Sequence, residues 1–480
     1  MRRREFVQHA ALAFGTAIAR PDLFARGWTG NPRQVRLTLD RETVIADIPP
    51  DFIGLGYEIS SVARAGLLSR KNDTYVRLVR TLGTHGVIRV GGNTADYASY
   101  VSSAPARSSP ETGPGSVVND AVLRDLGTFL DATEWKLIWG LNLGRGTKEQ
   151  AVEEAKAVAA AAGSHLLAFE IGNEPDLFSH RETHRKQNYG YDAYLSEYRS
   201  FKDALRRALP GTPLAGPDVA IATDWIAKFA ADEGKDLKLL THHYYREGQN
   251  PTSTIEKLLA PDPKMEPMLT ALSKASKSCG VPYRICETNS FSGGGRPGVS
   301  DRFDSALWVL DFMYELASAR CAGVNMETGV NQLGFVSSYS PIGDDGKGSY
   351  SATPEFYGML GFASGGNGEL VASKLEASDL NLKAYATRQD QQRVSVTLIN
   401  KERSVDCQIT LDGIGPLHCE SVLRLSAPSL DAANGVEFGG TKVNRDGSWH
   451  PSSMEKLSTG QGMINVHLPA SSAVVLKLRS

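Results

Sequence analysis

Between residue 50 and about residue 330 the chain alternates short, nearly continuous apolar runs with longer stretches in which apolar residues recur every three or four positions. An apolar run with no polar alternation marks a strand covered on both faces, and the three- and four-residue spacing marks a helix packed by one face. The runs are FIGLGYE (52–58), GVIRVGG (86–92), WKLIWGLNLG (135–144), LLAFEIGNE (166–174), PLAGPD (213–218), LKLLTHHYY (237–245), PYRICETN (282–289) and AGVNMETG (322–329). Helices are expected between them, over 72–82, 119–132, 148–162, 190–208, 265–278 and 301–320. Eight strands alternating with helices predict a (β/α)8 barrel; the roughly 280 residues from 50 to about 330 suit one, and with the helix that follows the barrel is expected over 50–365.

Past residue 330 the period changes. A helix is expected near 353–363, after which GGNG breaks the chain and runs such as LKAYATRQ, RVSVTLIN, CQITLDGI and ESVLRLSA alternate apolar and polar residues at period two. That pattern predicts an antiparallel β-sandwich over 366–480. QVRLTLDRETVIADIP (34–49) has the same character and is expected to join it, although it precedes the barrel. One interruption stands out inside the barrel region: SSAPARSSPETGPGSVV (102–118), rich in Ser, Pro and Gly, reads as a loop.

Composition narrows the function. With 480 residues, 41% hydrophobic content and a formal net charge of -2, the chain has the make-up of a globular protein with no polybasic surface for nucleic acid or anionic lipid. Five cysteines, Cys279, Cys286, Cys321, Cys407 and Cys419, lack metal-ligand spacing, so neither a metal nor a cofactor is expected; Cys407 and Cys419 leave room for a single bridge. No stretch beyond the amino terminus approaches the roughly 18 apolar residues that span a bilayer. The amino terminus itself, MRRREFVQHAALAFGTAIA, has an arginine cluster, an apolar run and then small residues. That is the layout of an export signal, here over 1–28 and similar to a twin-arginine signal, so an exported protein is expected.

The chemistry is read from the strand ends, because side chains at the C-terminal ends of barrel strands line the active site. Glu174 ends the fourth strand, beside Asn173 and before Pro175, and Glu287 ends the seventh. Two carboxylates facing each other across one mouth suit glycoside hydrolysis, in which one protonates the leaving oxygen while the other attacks the anomeric carbon or activates water. Glu58, Asp96 and Glu327 also lie at or near strand ends, so the neighbours must sharpen the choice. Asn173 offers a donor to a sugar hydroxyl, and His242, His243, Tyr244 and Tyr245 close the sixth strand, where a Tyr or His donor can hold Glu287 ionised.

EIGNEP followed by CETN resembles the clan A glycoside hydrolases. The resemblance implies that Glu174 is the acid/base and Glu287 the nucleophile of a retaining enzyme, with carboxyl groups about 5–5.5 Å apart. IRVGGNTADY, THHYYREG, ETNSFSGGGRPGVSDRF and FVSSYSPIGDDG are similar to glycoside hydrolase family 79, which contains β-glucuronidases and heparanase. That likeness implies recognition of a glucuronate carboxylate by the backbone of Gly294 and Gly295 and by Tyr339, with Glu58, Asn93, Asn173, His243, Tyr244 and Tyr245 completing the sugar site. Successive glycines can turn several N–H groups into one concavity that takes an anion; Arg296 ranks below them. The near-neutral charge favours exo action on a terminal glucuronate over heparanase-like endo cleavage. A β-xylosidase or α-arabinofuranosidase of the same clan, or a carbohydrate-binding protein without turnover, remain alternatives. The expected partner is a carbohydrate, and the pattern says nothing about oligomeric state.

Overall fold

The computed structural model describes residues 31–109, 115–180, 183–330, 337–452, 455–460 and 462–480; the expected export signal lies outside them. Eight parallel strands form a closed barrel: Ile53–Glu58, Val87–Gly91, Lys136–Leu141, Leu166–Ile171, Leu214–Val219, Leu239–Tyr245, Tyr283–Asn289 and Val324–Glu327. Each pairs with the next in the chain, and the eighth closes the ring on the first, with Glu327 opposite Gly56. All eight apolar runs of the sequence are these strands. The helices between them start where local chemistry dictates. Asn72 and Asn119 accept from the backbone N–H groups of Tyr75 and Val122, and Thr147 and Gln150 form a reciprocal capping box. A helix that the apolar spacing did not single out, Thr223–Glu233, follows the fifth strand.

Period-two alternation sorts the strand residues between the barrel interior and the helix layer. Outward-facing Tyr57 bonds to Tyr75 on the following helix at 2.7 Å, and Trp139 bonds to Glu154 at 2.9 Å, so neither lies in the mouth. The interior is layered. At the bottom the buried Arg284 guanidinium donates to the carbonyls of Asp51, Phe52 and Val324 and to Asn325 Oδ1. Val87, Ile138, Ala168, Ala215, Leu239 and Cys286 form a small apolar plug. Two residues further along their strands, Val87 leads to Arg89 and Ala168 to Glu170, so the next layer is charged.

The second domain is one ten-stranded sheet that folds over its own apolar core, which contains Leu37, Val396, Ile409, Val466 and Leu476. Residues Arg33–Ile48 form a strand within it, antiparallel to Gly368–Leu375 and parallel to Cys407–Asp412. Cys407 and Cys419 are both free thiols in this core, so the bridge for which the spacing left room is absent. The domain is fastened to helix Phe303–Ser318. Asp311 receives Lys401 Nζ at 2.5 Å and Tyr385 Oη at 2.6 Å, and the hydroxyls of Tyr314 and Thr397 meet at 2.8 Å.

Helix Pro354–Gly365 lies so close to helix Phe303–Ser318 that a Cβ on Gly358 would fall 2.1 Å from the carbonyl oxygen of Ala306. Gly358→Ala is therefore expected to destabilise the chain by about 1–3 kcal/mol through overpacking. Thermal unfolding checks this, and an unchanged midpoint would contradict the close approach.

Candidate active site

Arg89 occupies the middle of the second strand, in VIRVG, with no exposed surface. Its guanidinium reaches four acceptors: Nε to Glu170 Oε2 at 3.2 Å, Nη1 to Glu287 Oε2 at 2.7 Å, and Nη2 to Asn173 Oδ1 at 2.8 Å and Asp218 Oδ2 at 2.7 Å. Burial opposes its charge, but the carboxylates of Asp218, Glu170 and Glu287 outweigh burial and hold it cationic. A planar fork with five donors can do this where a lysine cannot. The Arg89 bond also fixes the Asn173 amide, so that its nitrogen is turned the other way, toward Asn93 Oδ1 at 3.2 Å.

His243 sits beside Arg89 on the sixth strand. Nε2–H donates to Asp218 Oδ1 at 2.8 Å and Nδ1–H to Glu174 Oε1 at 3.0 Å, with Glu287 Oε2 3.8 Å away. Burial works against the imidazolium, yet Asp218 and then Glu287 overcome it, so the ring stays charged well above its usual range. Asp218, between two cations, is held well below the usual carboxylate range although burial pulls the other way. Glu170 is pushed up to about 7 by burial and by Asp218.

The two glutamates expected at the site meet here. One carboxylate oxygen of each lies within 4.8 Å of the other and of His243. Glu174 has φ 50 and ψ 51, the left-handed region that a non-glycine residue enters at a cost. It is held there by its N–H bond to the Asp218 carbonyl at 2.9 Å. Pro175 then opens the 3-10 turn Pro175–Leu177, and Asp176 in that turn accepts from the N–H groups of Ala220, Ile221 and Ala222, tying the fourth loop to the fifth. Burial raises the Glu174 pKa, His243 lowers it and the Glu287 charge raises it, with a net upward shift. Glu287 sits at a register shift between Ile285 and Glu287. Beyond Arg89 it receives the Tyr245 hydroxyl at 3.0 Å. Tyr245 stacks on Tyr339, ring centres 6.1 Å apart.

Other expected residues have different places. Tyr244 points away from the mouth: its hydroxyl donates to Asp262 at 2.7 Å and its ring stacks on Phe312 in the helix layer, as alternation after His243 requires. Both carboxylate oxygens of Glu58 cap the turn Asn93–Tyr97, accepting from the N–H groups of Asn93 and Thr94, so it shapes the pocket through that turn. Asp96 is buried and accepts from Leu143, Gly144 and Asn173 N–H, binding three loops together; burial pushes its carboxyl up to about 7. Gly293, Gly294 and Gly295 all have φ between 80 and 88, but the Gly295 N–H is taken by the Phe291 carbonyl at 3.1 Å. A Cβ on Gly295 would lie 2.8 Å from Tyr339 N, so this glycine lets Tyr339 approach instead of donating to an anion. Arg89, Glu170 and Asp218 were not singled out in the sequence. Their signal is a charged residue inside an otherwise apolar strand, which a barrel buries only when it is paired.

Paired glutamates at the ends of the fourth and seventh strands of a closed (β/α)8 barrel are an arrangement suited to glycoside hydrolysis. Residues 380–475 match the glycosyl hydrolase family 79 C-terminal beta domain. The chain is 25% identical over 497 aligned residues to a β-glucuronidase of Aspergillus niger, covering 89% of this chain and 88% of that one. It is 28% identical over 378 residues to a β-glucuronidase of Neurospora crassa, covering 69% and 66%. In structure it is similar to a 4-O-α-L-rhamnosyl-β-D-glucuronidase from Fusarium oxysporum, with a TM-score of 0.75, 19% identity, and 92% and 99% of the two chains covered. The chain is a glycoside hydrolase, and these matches align it with family 79.

Arg89→Met would strand three buried carboxylates, and losing one partner of a buried ion pair costs about 3–5 kcal/mol. A lower unfolding midpoint and lost turnover are expected, and Arg89→Lys should restore neither, having no fork to span four acceptors. A lysine variant with the parent midpoint and turnover would contradict the role of the guanidinium.

Proposed function

We propose that the chain is a retaining, exo-acting β-glucuronidase that removes a terminal β-D-glucuronic acid by double displacement. The observation that carries this reading is the approach of the Glu174 and Glu287 carboxyl groups to within 4.8 Å at one oxygen pair. Retaining enzymes hold the two carboxyl groups about 5–5.5 Å apart, whereas inverting enzymes need about 6.5–9.5 Å to admit a water. The curated β-glucuronidases that align over most of the chain support the choice of sugar. Arg89 and the Tyr245 hydroxyl each donate to Glu287 and hold it aimed at the anomeric carbon. Glu174, its pKa raised, keeps its proton for the departing oxygen. Forming the glycosyl ester removes the Glu287 charge, one of the causes that raise the Glu174 pKa, so Glu174 becomes a stronger acid and then serves as base toward water. The Asn173 amide nitrogen, turned by Arg89 toward Asn93, has a second hydrogen to donate to the sugar hydroxyl next to the reacting carbon. In this reading Gly294 and Tyr339 hold the glucuronate carboxylate.

Hydrolysis of nitrophenyl glucuronide, glucoside and xyloside at equal concentration tests the sugar: the glucuronide should dominate, and activity confined to the glucoside or xyloside would overturn the reading. Glu287→Gln should abolish turnover. Glu174→Gln should slow poor leaving groups far more than nitrophenol, because a good leaving group needs little protonation; equal losses would contradict the acid/base role. With the acid form of Glu174 required, kcat should fall as pH rises through its raised pKa. The twin-arginine-like amino terminus further suggests export, and replacing Arg3 and Arg4 with lysines should then leave the protein inside the cell.

A further inference from the structure

Glu327 ends the eighth strand, on the same inward-facing row as Asn325 of the barrel floor. Its side chain is 3% exposed, and among the described residues neither carboxyl oxygen has a hydrogen-bond partner. The strand opposite makes room for it, since a Cβ on Gly56 would lie 2.4 Å from Glu327 Oε2. Charged and titratable groups from several strands act on it electrostatically. They are Glu58 and Tyr57 from the first strand, Arg89 from the second, His243 and Tyr245 from the sixth, Glu287 from the seventh and Tyr339 from beyond the eighth. Asn289 links its backbone carbonyl to Glu355 on helix Pro354–Gly365.

The neighbouring cations are already committed. Arg89 serves four acceptors and His243 two, while Glu287 and Glu58 bring negative charge. Burial first, then the charges of Glu287 and Glu58, push the Glu327 carboxyl well above the usual range. An uncharged carboxyl in such a place tolerates an anion nearby, whereas an ionised one repels it. Glu327 is also the carboxyl that acts most strongly on the Tyr339 hydroxyl, one of the groups assigned to the sugar carboxylate.

We propose that Glu327 is a specificity residue of the sugar pocket: a neutral carboxylic acid in its wall that admits an anionic sugar beside the nucleophile and, once ionised, expels it. This rests on the β-glucuronidase reading above. Glu327 acts on substrate affinity, whereas Glu174 governs the chemical step, so the two separate in KM and kcat.

The test measures both constants for nitrophenyl glucuronide and for its uncharged methyl ester between about pH 5 and 9, in the parent and in Glu327→Gln. In the parent, KM for the glucuronide should climb by about tenfold or more toward high pH, at up to about tenfold per unit, while KM for the ester stays flat. In Glu327→Gln the climb should shrink to less than about twofold, because the amide keeps the shape without the proton. A parent KM that stays flat for the glucuronide, or a climb that persists in Glu327→Gln, overturns the assignment. A parent that hydrolyses the ester or a neutral glycoside but never the glucuronide overturns the β-glucuronidase reading instead. Should Glu327→Gln fail to fold, calorimetry of glucuronate binding to Glu174→Gln in buffers of different ionisation heat replaces it. Uptake of a proton at alkaline pH is expected, and its absence counts against Glu327.

Discussion

The Arg89 guanidinium is the contact on which the rest of the site depends. Buried above the apolar plug of the barrel, it joins the second strand to the fourth, fifth and seventh through Glu170, Asn173, Asp218 and Glu287. Each of those acceptors then fixes something else. Asp218 orients His243, and His243 binds Glu174. Asn173 turns its nitrogen toward Asn93, and Glu287 takes a further bond from Tyr245. One cation thus positions the nucleophile directly and the acid/base at one remove, through Asp218 and His243.

The site balances charge tightly. Two buried cations, Arg89 and His243, face carboxylates that cannot all ionise in so small a space. Asp218 and Glu287 sit closest to the cations, whereas Glu170, Glu174 and Glu327 are shifted upward by burial and by their neighbours. Separating the proton affinities of adjacent carboxyl groups lets one act as acid while another stays a nucleophile at the same pH. The backbone contributes as well. Glu174 and Asp218 both hold positive φ, at 50 and 58, and the Glu174 N–H to Asp218 carbonyl bond locks the two strained residues together. The β-sheet domain stands outside this chemistry, and its Lys401 ion pair and Tyr385 hydrogen bond with Asp311 of helix Phe303–Ser318 brace the barrel from the side.

Much of the architecture was legible along the chain because it follows from local patterns. Eight apolar runs became eight strands, since continuous hydrophobicity is what a strand buried on both faces must show. The helices were expected from apolar spacing alone, and Asn72, Asn119 and Thr147 cap their first turns. Glu174 and Glu287 were identifiable as candidates because they end their strands, and strand ends face the mouth of a barrel.

What the chain could not disclose depends on register and on residues far apart in sequence. Tyr244 and Tyr245 look alike in THHYYREG, yet alternation sends one to Asp262 in the helix layer and the other to Glu287. Gly295 reads as an anion donor until its N–H is seen on the Phe291 carbonyl. Arg89 is a single charge in an apolar strand, and its meaning comes from partners 81 to 198 positions away. Glu287 and Glu327 differ in what surrounds them: the Glu287 carboxyl accepts from an arginine and a tyrosine, whereas among the described residues the Glu327 carboxyl has no hydrogen-bond partner. Hydrophobic period and strand ends are local properties, so sequence determined the barrel and nominated its glutamates. The state of each carboxyl is set by the sum of distant charges in a buried space, which only the closed barrel assembles.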